Sequence, residues 1–401
     1  MGSAATGPHV LRRINAEAVL AVLRDAGDGS ARVADVVLAT GLSRPAVTRA
    51  IAALAGAGVV EYAGPETAQV GRPAVRARFR GELGHVAGID IGPHTLQVSI
   101  ADLAGTVLAT TQRTVDASAT GPDLVLLLHS TLAETAAAAG VAVAGLWAVG
   151  VGTPGIVDHE RGEVTLAPSI PGWAGIPLLA ELRKRLGCPV LLDNDVNLAV
   201  LAERWRGEAS DNLVYVHWGE RIGSGIVIDG KPYRGATSAA GELGFVDLVS
   251  DPDAAPAPVR DRLGPFERLA GARAIHQLAL ESAAPDLAGR LRAGTGITPL
   301  FDAARDGDAA ALAVVDTVAA RFARGLAALL LILDPGRIVV GGGVSRAGDV
   351  LFDAVRRHLA QLVLMPADLR VSSLGDRAVV LGAVRLALDT ADERLLTLVR
   401  G

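Results

Sequence analysis

Two stretches constrain this chain more than any others. "VAGIDIGPHTLQVSI", from Val86, and "NLVYVHWGERIGSGIVID", from Asn212, each join two apolar runs through a glycine-bearing turn, with an aspartate close by. Apolar runs of this length bounded by glycine turns read as paired strands. Because the unit occurs twice, two similar lobes facing a cleft are expected. Between them come "GTVLATTQRTV", a helical segment near Asp123 to Ala139, and the strand "LWAVGVGTPGIVD". That alternation of strand and helix specifies the α/β class. With half of its 401 residues hydrophobic, the chain has ample core for two or three compact units.

The first 80 residues have a different pattern. They carry ten Arg against six acids, a charge of about +4, which leaves about −9 for the remainder of a chain whose net charge is −5. Three helical segments fit here, "NAEAVLAVLRDAG" from Asn15, "RVADVVLATG" from Arg32 and "SRPAVTRAIAALAGAG" from Ser43. In the third, Ser43 is a natural N-cap and Pro45 sits in the first turn, where a missing N–H costs least. Val47, Ile51 and Leu54 form an apolar stripe, which leaves Arg44, Thr48 and Arg49 on the other face. Two short strand-like runs follow, "VVEYAG" and "AVRARFR". This order predicts a winged helix-turn-helix whose third helix presents its N-terminal end to the major groove of a DNA operator. The segment "GRPAVRAR" follows the wing turn as a cationic, extended linker, and Arg72 is placed to enter a narrow minor groove.

The single cysteine, Cys188, excludes an internal disulfide and any multi-cysteine metal site. No apolar run reaches the roughly 18 residues of a spanning helix, and "MGSAATGPHV" lacks the regions of a signal peptide. These features predict a cytoplasmic protein with no membrane partner.

Six motifs, "GIDIGPHTLQVSI", "GVGTPGIVD", "APSIPGWAGIPL", "LLDNDVNLAVLAE", "GIVIDGKPYRGATSAAGELG" and "LDPGRIVVGGGVS", occur in the order found in the ROK family of sugar kinases and sugar-responsive repressors, which this chain resembles over essentially its whole length. The resemblance implies an actin/hexokinase-like (ribonuclease H-like), two-lobed α/β body behind the winged helix-turn-helix. Residues 1–80 are then the DNA-binding domain with its Gly-Arg-Pro linker, and 81–401 the effector domain. The lobes of that domain cover about 84–210 plus the C-terminal helix, and about 211–380. The resemblance matches Asn194 to a sugar-binding asparagine and Asp195 to the kinases' catalytic base. It matches Glu242 and Glu267 to acids that accept hydrogen bonds from sugar hydroxyls, and Gly172 and Trp173 to the loop beside that pocket.

The departures from the family pattern point away from catalysis. Ser169 stands where the family commonly has a sugar-contacting Asn and offers fewer hydrogen bonds. Phe245, Pro258, Arg260 and Pro265 fall on the four positions of the family's zinc ligands, so no zinc is expected. Pro93 and His94 occupy the first phosphate turn, where proline removes an N–H donor. Glu220 and Arg221 rewrite the second turn. A side chain at 221 would cost on the order of 1 to 2 kcal/mol if that turn demanded positive φ.

These changes imply no bound ATP or magnesium and no enzymatic activity. The reading is a transcriptional regulator, a repressor of sugar genes, that binds a double-stranded operator and a small sugar effector as a homodimer or homotetramer. The alternatives are an active ATP-dependent sugar kinase of hexokinase or glucokinase type that also binds DNA, and a DNA-binding protein whose cleft takes another ligand or none.

Overall fold

The structure, a computed structural model, describes residues 8–26, 29–63, 75–116, 118–167, 169–207, 210–248, 263–294 and 296–398. It contains two compact units. The first comprises Met1–Val151, Pro177–Leu192 and Ala383–Gly401, and the second Gly152–Ile176 and Asp193–Gly382.

The chain opens with α1 (Pro8–Asp25), β1 (Ser30–Arg32), α2 (Val33–Thr40), α3 (Arg44–Gly56), β2 (Val60–Ala63) and β3 (Arg76–Phe79). The three strands form an antiparallel sheet in the order β1-β3-β2. Leu20, Leu23, Val36, Val47, Ile51, Leu54 and Phe79 are buried here. Helix α2 stops at Gly41, whose φ of 66° lets its N–H return to the Val37 carbonyl. Two features differ from the sequence expectation. Helix α1 begins at Pro8 rather than near Asn15, and β1 has only three residues, too few to show a period.

Next come β4 (His85–Ile91), β5 (Thr95–Asp102), β6 (Val107–Thr114), α4 (Gly121–Ala138), β7 (Leu146–Thr153), β8 (Ile156–Asp158), β9 (Glu163–Leu166), α5 (Leu178–Leu186) and β10 (Val190–Asn194). They are followed by α6 (Asp195–Arg206), β11 (Leu213–Trp218), β12 (Ile222–Ile228), β13 (Lys231–Pro232), α7 (Pro265–Ala270), α8 (Ala272–Ser282), α9 (Pro285–Arg292) and α10 (Thr298–Arg305). The chain closes with α11 (Ala309–Leu333), β14 (Arg337–Gly341), α12 (Asp349–Leu359), β15 (Leu369–Val371) and α13 (Ala378–Leu398).

The repeat seen in the sequence is a repeat of topology. One five-stranded sheet has the order β10-β7-β4-β5-β6 and the other β15-β14-β11-β12-β13. In each, the central strand, β4 or β11, pairs antiparallel with the strand that follows it in the chain. Both central strands are almost continuously buried, as strands covered on two faces must be.

The second unit's core is mostly aliphatic, with a small aromatic cluster inside it. Trp218 stacks on Phe322 and lies edge-on to Phe352, and its indole N–H donates to the Ala270 carbonyl at 2.8 Å. Within the first unit, Arg24 of α1 is held between the Phe79 ring and Asp392 of α13, with Nη1 donating to Oδ2 at 2.6 Å. The pair spans 368 residues and joins the first helix to the last.

Candidate functional site

The apolar strand β10 ends in the polar run Asp193-Asn194-Asp195, and α6 starts there because Asn194 caps it. Its Oδ1 accepts from the N–H of Val196 at 3.0 Å and of Asn197 at 3.4 Å. Its Nδ2 donates to the Gly155 carbonyl at 2.8 Å. Gly155 has a φ of 99°, and a Cβ there would lie 1.9 Å from the Leu166 carbonyl oxygen, so only glycine brings that carbonyl into place.

Asp195, the first residue of α6, is half-buried. Burial pushes its carboxyl up to about 7, against the pull of the Val196 N–H, and the negative charge of Glu242 pushes it further the same way. Glu242 follows Gly241, whose φ of 92° and contact with the Ser224 carbonyl again permit no side chain. The Glu242 carboxyl is raised, first by burial and then by Glu267, while Arg221 opposes the rise.

Glu267 is 3% exposed. Its oxygens accept from the N–H of Gly264 at 2.7 Å and of Ile222 at 3.1 Å, and from Arg221 Nη1 at 3.2 Å. It therefore caps α7 and anchors β12 at once. Ser169 is half-buried in the turn between β9 and α5. Trp173 is buried, its indole N–H donating to Thr153 Oγ1 at 2.7 Å. Asn194, Asp195, Glu242, Glu267 and Ser169 all belong to the second unit, except that β10 enters it from the first. Glu242 links the acids electrostatically, acting on Asp195 and acted on by Glu267.

Sequence reasoning passed over four residues around this group. Asp193, 1% exposed, receives Nε and Nη2 of Arg234, at 3.0 and 2.5 Å, and Nδ2 of Asn197 at 3.2 Å. His159 Nε2 lies 3.5 Å from the same carboxylate. The signal was an acid at the end of an apolar strand, which needs a cation when buried.

The two rewritten turns are both closed on themselves. Gly92 donates its N–H to the Thr95 carbonyl at 2.8 Å across Pro93 and His94. Gly219 donates to the Arg221 carbonyl at 3.0 Å, and its own carbonyl accepts from Ala272 at 2.8 Å. Among the described residues, the non-glycine positions with positive φ are Asp229, Ser238 and Asp334. Arg221 is not one of them, so the strain attached conditionally to a side chain there does not arise.

Phe245 and Pro265, the described residues at the zinc-pattern positions, carry no ligand atom. Pro258 and Arg260 lie outside the described residues. Among the described residues, no group of three His, Cys, Asp or Glu is placed to hold a metal ion, and no helix is long and apolar enough to cross a membrane.

On α3, the Ser43 side chain accepts from the Ala46 N–H at 3.4 Å, and Val47, Ala50, Ile51 and Leu54 are buried. Arg44, Thr48 and Arg49 are exposed. Arg72 lies outside the described residues.

The ROK family profile matches residues 86–390. The chain belongs to the ROK family. This ROK protein is 33% identical to a glucokinase of Thermotoga maritima over 313 residues, 75% of this chain and 96% of the glucokinase. It is 27% identical to a xylose repressor of Caldicellulosiruptor bescii over 329 residues, 79% of this chain and 82% of the repressor. Among solved structures, the ROK glucokinase of Streptomyces griseus, in complex with glucose and AMPPNP, superposes with a TM-score of 0.66 at 29% identity, covering 76% of this chain and 100% of that one. A ROK transcriptional regulator, a homologue of the E. coli MLC protein, superposes with a TM-score of 0.76 at 23% identity. That likeness of fold covers 98% of this chain and 100% of the regulator.

Proposed function

We propose that this ROK protein is a DNA-binding transcriptional regulator, a repressor in its default state, that senses an uncharged sugar through Asn194, Asp195, Glu242, Glu267 and Ser169. One observation carries the reading. The fold of the regulator extends over 98% of this chain, whereas the glucokinase fold extends over 76%.

The additional segment is where α2, the turn at Gly41 and α3 are followed by the strands β2 and β3. We read it as a winged helix-turn-helix with Ser43, Arg44, Thr48 and Arg49 at the head of the recognition helix, and Arg72 beyond the wing. Two copies in a homodimer would meet two half-sites of an operator.

In the pocket, Asn194 spends its oxygen on the Val196 and Asn197 amides and its amide group on the Gly155 carbonyl and on Asp195, so it holds the Asp195 carboxyl in place for a sugar. Asp195 and Glu242 accept from sugar hydroxyls. Ligand acts by binding one of two conformations better, and a coupling of about 1 to 3 kcal/mol is enough to change operator occupancy.

A second reading, a sugar kinase that also binds DNA, is favoured by Asp195. A carboxyl ionising near 7 suits a base that takes a proton from a sugar hydroxyl, and the 33% identity is to a glucokinase.

The test is fluorescence anisotropy on the DNA flanking the protein's own gene, with and without D-xylose or D-glucose, and without nucleotide. Salt-resistant binding that one sugar changes at least fivefold supports the regulator. No sequence preference over random DNA at 150 mM salt sinks it.

A further inference from the structure

Three segments meet at the Glu267 carboxylate. A Cβ on Gly244 would lie 2.7 Å from both Cγ and Oε1 of Glu267 and 2.6 Å from the Ile222 carbonyl oxygen, so the segment after Glu242 is pressed onto α7 and the start of β12. The turn Gly219–Arg221 rests on the same place. Ala272 N–H bonds to the Gly219 carbonyl, and a Cβ on Gly271 would come within 2.8 Å of the Glu220 carbonyl oxygen. From that turn Arg221 reaches Glu267 with Nη1–Oε2 at 3.2 Å while keeping 31% of its side chain exposed.

We propose that Arg221 is a positioning and charge-setting residue of the sugar pocket, a fixed counter-ion to Glu267 and Glu242 that converts a turn of phosphate-loop type into a strut of the effector site. The proposal rests on the reading of Glu242 as a sugar ligand.

Glu242 is acted on by Glu267 from α7 and by Arg221 from the turn, and itself acts on Asp195 at the start of α6. Two of these three are acids and one is a cation. Burial and Glu267 favour the protonated carboxyl, and Arg221 favours the carboxylate. Only the carboxylate can accept hydrogen bonds from sugar hydroxyls on both oxygens. Without the cation, Glu242 takes up its proton at a higher pH, and the pocket trades one acceptor oxygen for a donor while the backbone around it is unchanged.

The experiment compares the wild type with Arg221→Met, which keeps length without charge, and Arg221→Lys, which keeps charge. Carboxyl carbon NMR titration, with the Glu242 resonance assigned through Glu242→Gln, needs no ligand. Its midpoint should rise in Arg221→Met and return at least half-way in Arg221→Lys. Calorimetry with D-xylose and D-glucose between pH 6 and 8.5 should show about a tenfold affinity loss in Arg221→Met at pH 7, shrinking towards pH 8.5. An unchanged Glu242 midpoint in Arg221→Met overturns the proposal. So does a pH-independent affinity loss that lysine does not rescue, because it assigns Arg221 to packing alone. If the wild type binds neither sugar, the effector reading fails by itself, and the titration still decides the role of Arg221.

Discussion

Asp193 and Arg234, 41 residues apart, form a paired contact in which one carboxylate oxygen receives both Nε and Nη2 of the guanidinium. The acid is 1% exposed and the arginine 29%. Arg234 opens the loop that leads to Glu242, and the N–H of Asn194 donates to the other Asp193 oxygen at 2.8 Å. One buried carboxylate thus fixes both the strand end bearing Asn194 and Asp195 and the segment bearing Glu242.

Removing the arginine leaves that acid buried with weaker partners. Arg234→Ala should cost on the order of 2 to 4 kcal/mol, the lower end reflecting the solvent that reaches Arg234 and the remaining bonds from Asn194 and Asn197. Urea unfolding at pH 7 measures it. Asp193→Asn, which keeps an acceptor, should cost less than Arg234→Ala. The reverse order would mean that the ion pair is not what holds the junction.

The Asp195 carboxyl gives stability a pH dependence. It ionises near 7 in the folded chain against an ordinary 3.8, so between those values the native state holds a proton that the unfolded chain has lost. Stability of the unliganded protein therefore falls as pH rises from about 4 to about 7 and levels off above. At about 1.4 kcal/mol per tenfold change in ionisation, the ceiling is on the order of 4 kcal/mol, lessened because Asp195 is only half-buried. Asp195→Asn should flatten this slope in thermal melts across that range. A sugar hydroxyl donating to the carboxylate lowers its pKa, so binding at pH 6.5 should release protons. Calorimetry in phosphate and in Tris should give different heats, and equal heats would place the sugar away from Asp195.

How much of this was legible depends on the distance over which each feature is encoded. Helix α3 was readable because Ser43, Pro45 and the stripe Val47, Ile51, Leu54 lie within one short stretch. The two hairpins were readable because each is a strand, a glycine turn and a strand in succession. The pair Arg221–Glu267 joins residues 46 apart, and Asp193–Arg234 residues 41 apart. Such pairs leave no local period, so neither partner's role showed. The amide partners of Glu267, Gly264 and Ile222, likewise left no sign in the local pattern. The short strand β1 pairs with β3, through Ser30↔Arg78 to Arg32↔Arg76, and carries no pattern of its own.

The exposed head of α3 makes a separate prediction. If Arg44 or Arg49 reads a base edge, its replacement by Ala should weaken operator binding by about 1 to 3 kcal/mol and relax preference at one position, with thermal stability unchanged. A phosphate contact would instead weaken binding to all sequences alike and lower the salt slope. Anisotropy titrations on the operator and on scrambled DNA at two salt concentrations separate these outcomes. Full affinity in both variants would remove α3 from the groove.

Phosphoryl transfer is the remaining question, and Asp195 alone does not answer it. A base helps only when the nucleotide's phosphates are held in line beside the acceptor, and that placement is most of the catalysis. The two turns that the family resemblance would assign to that holding each keep backbone donors for themselves. Gly92 spends its N–H on Thr95, Pro93 has none, and Gly219 spends its N–H on Arg221. Glu220 is exposed and adds a negative charge to the second turn, while the Arg221 guanidinium is directed to Glu267. The expected result is no sugar-dependent ATP turnover above background, no thermal stabilisation by ATP with magnesium, and full sugar control of DNA binding without nucleotide. Arg221→Gly should not create activity, since Pro93 and Glu220 remain. The deciding measurement is phosphorylated product from whichever sugar shifts DNA binding. Product at about 1 per second or faster, within the ordinary enzyme range, would make this protein a kinase that also binds DNA, because only a nucleotide held in line could sustain that rate.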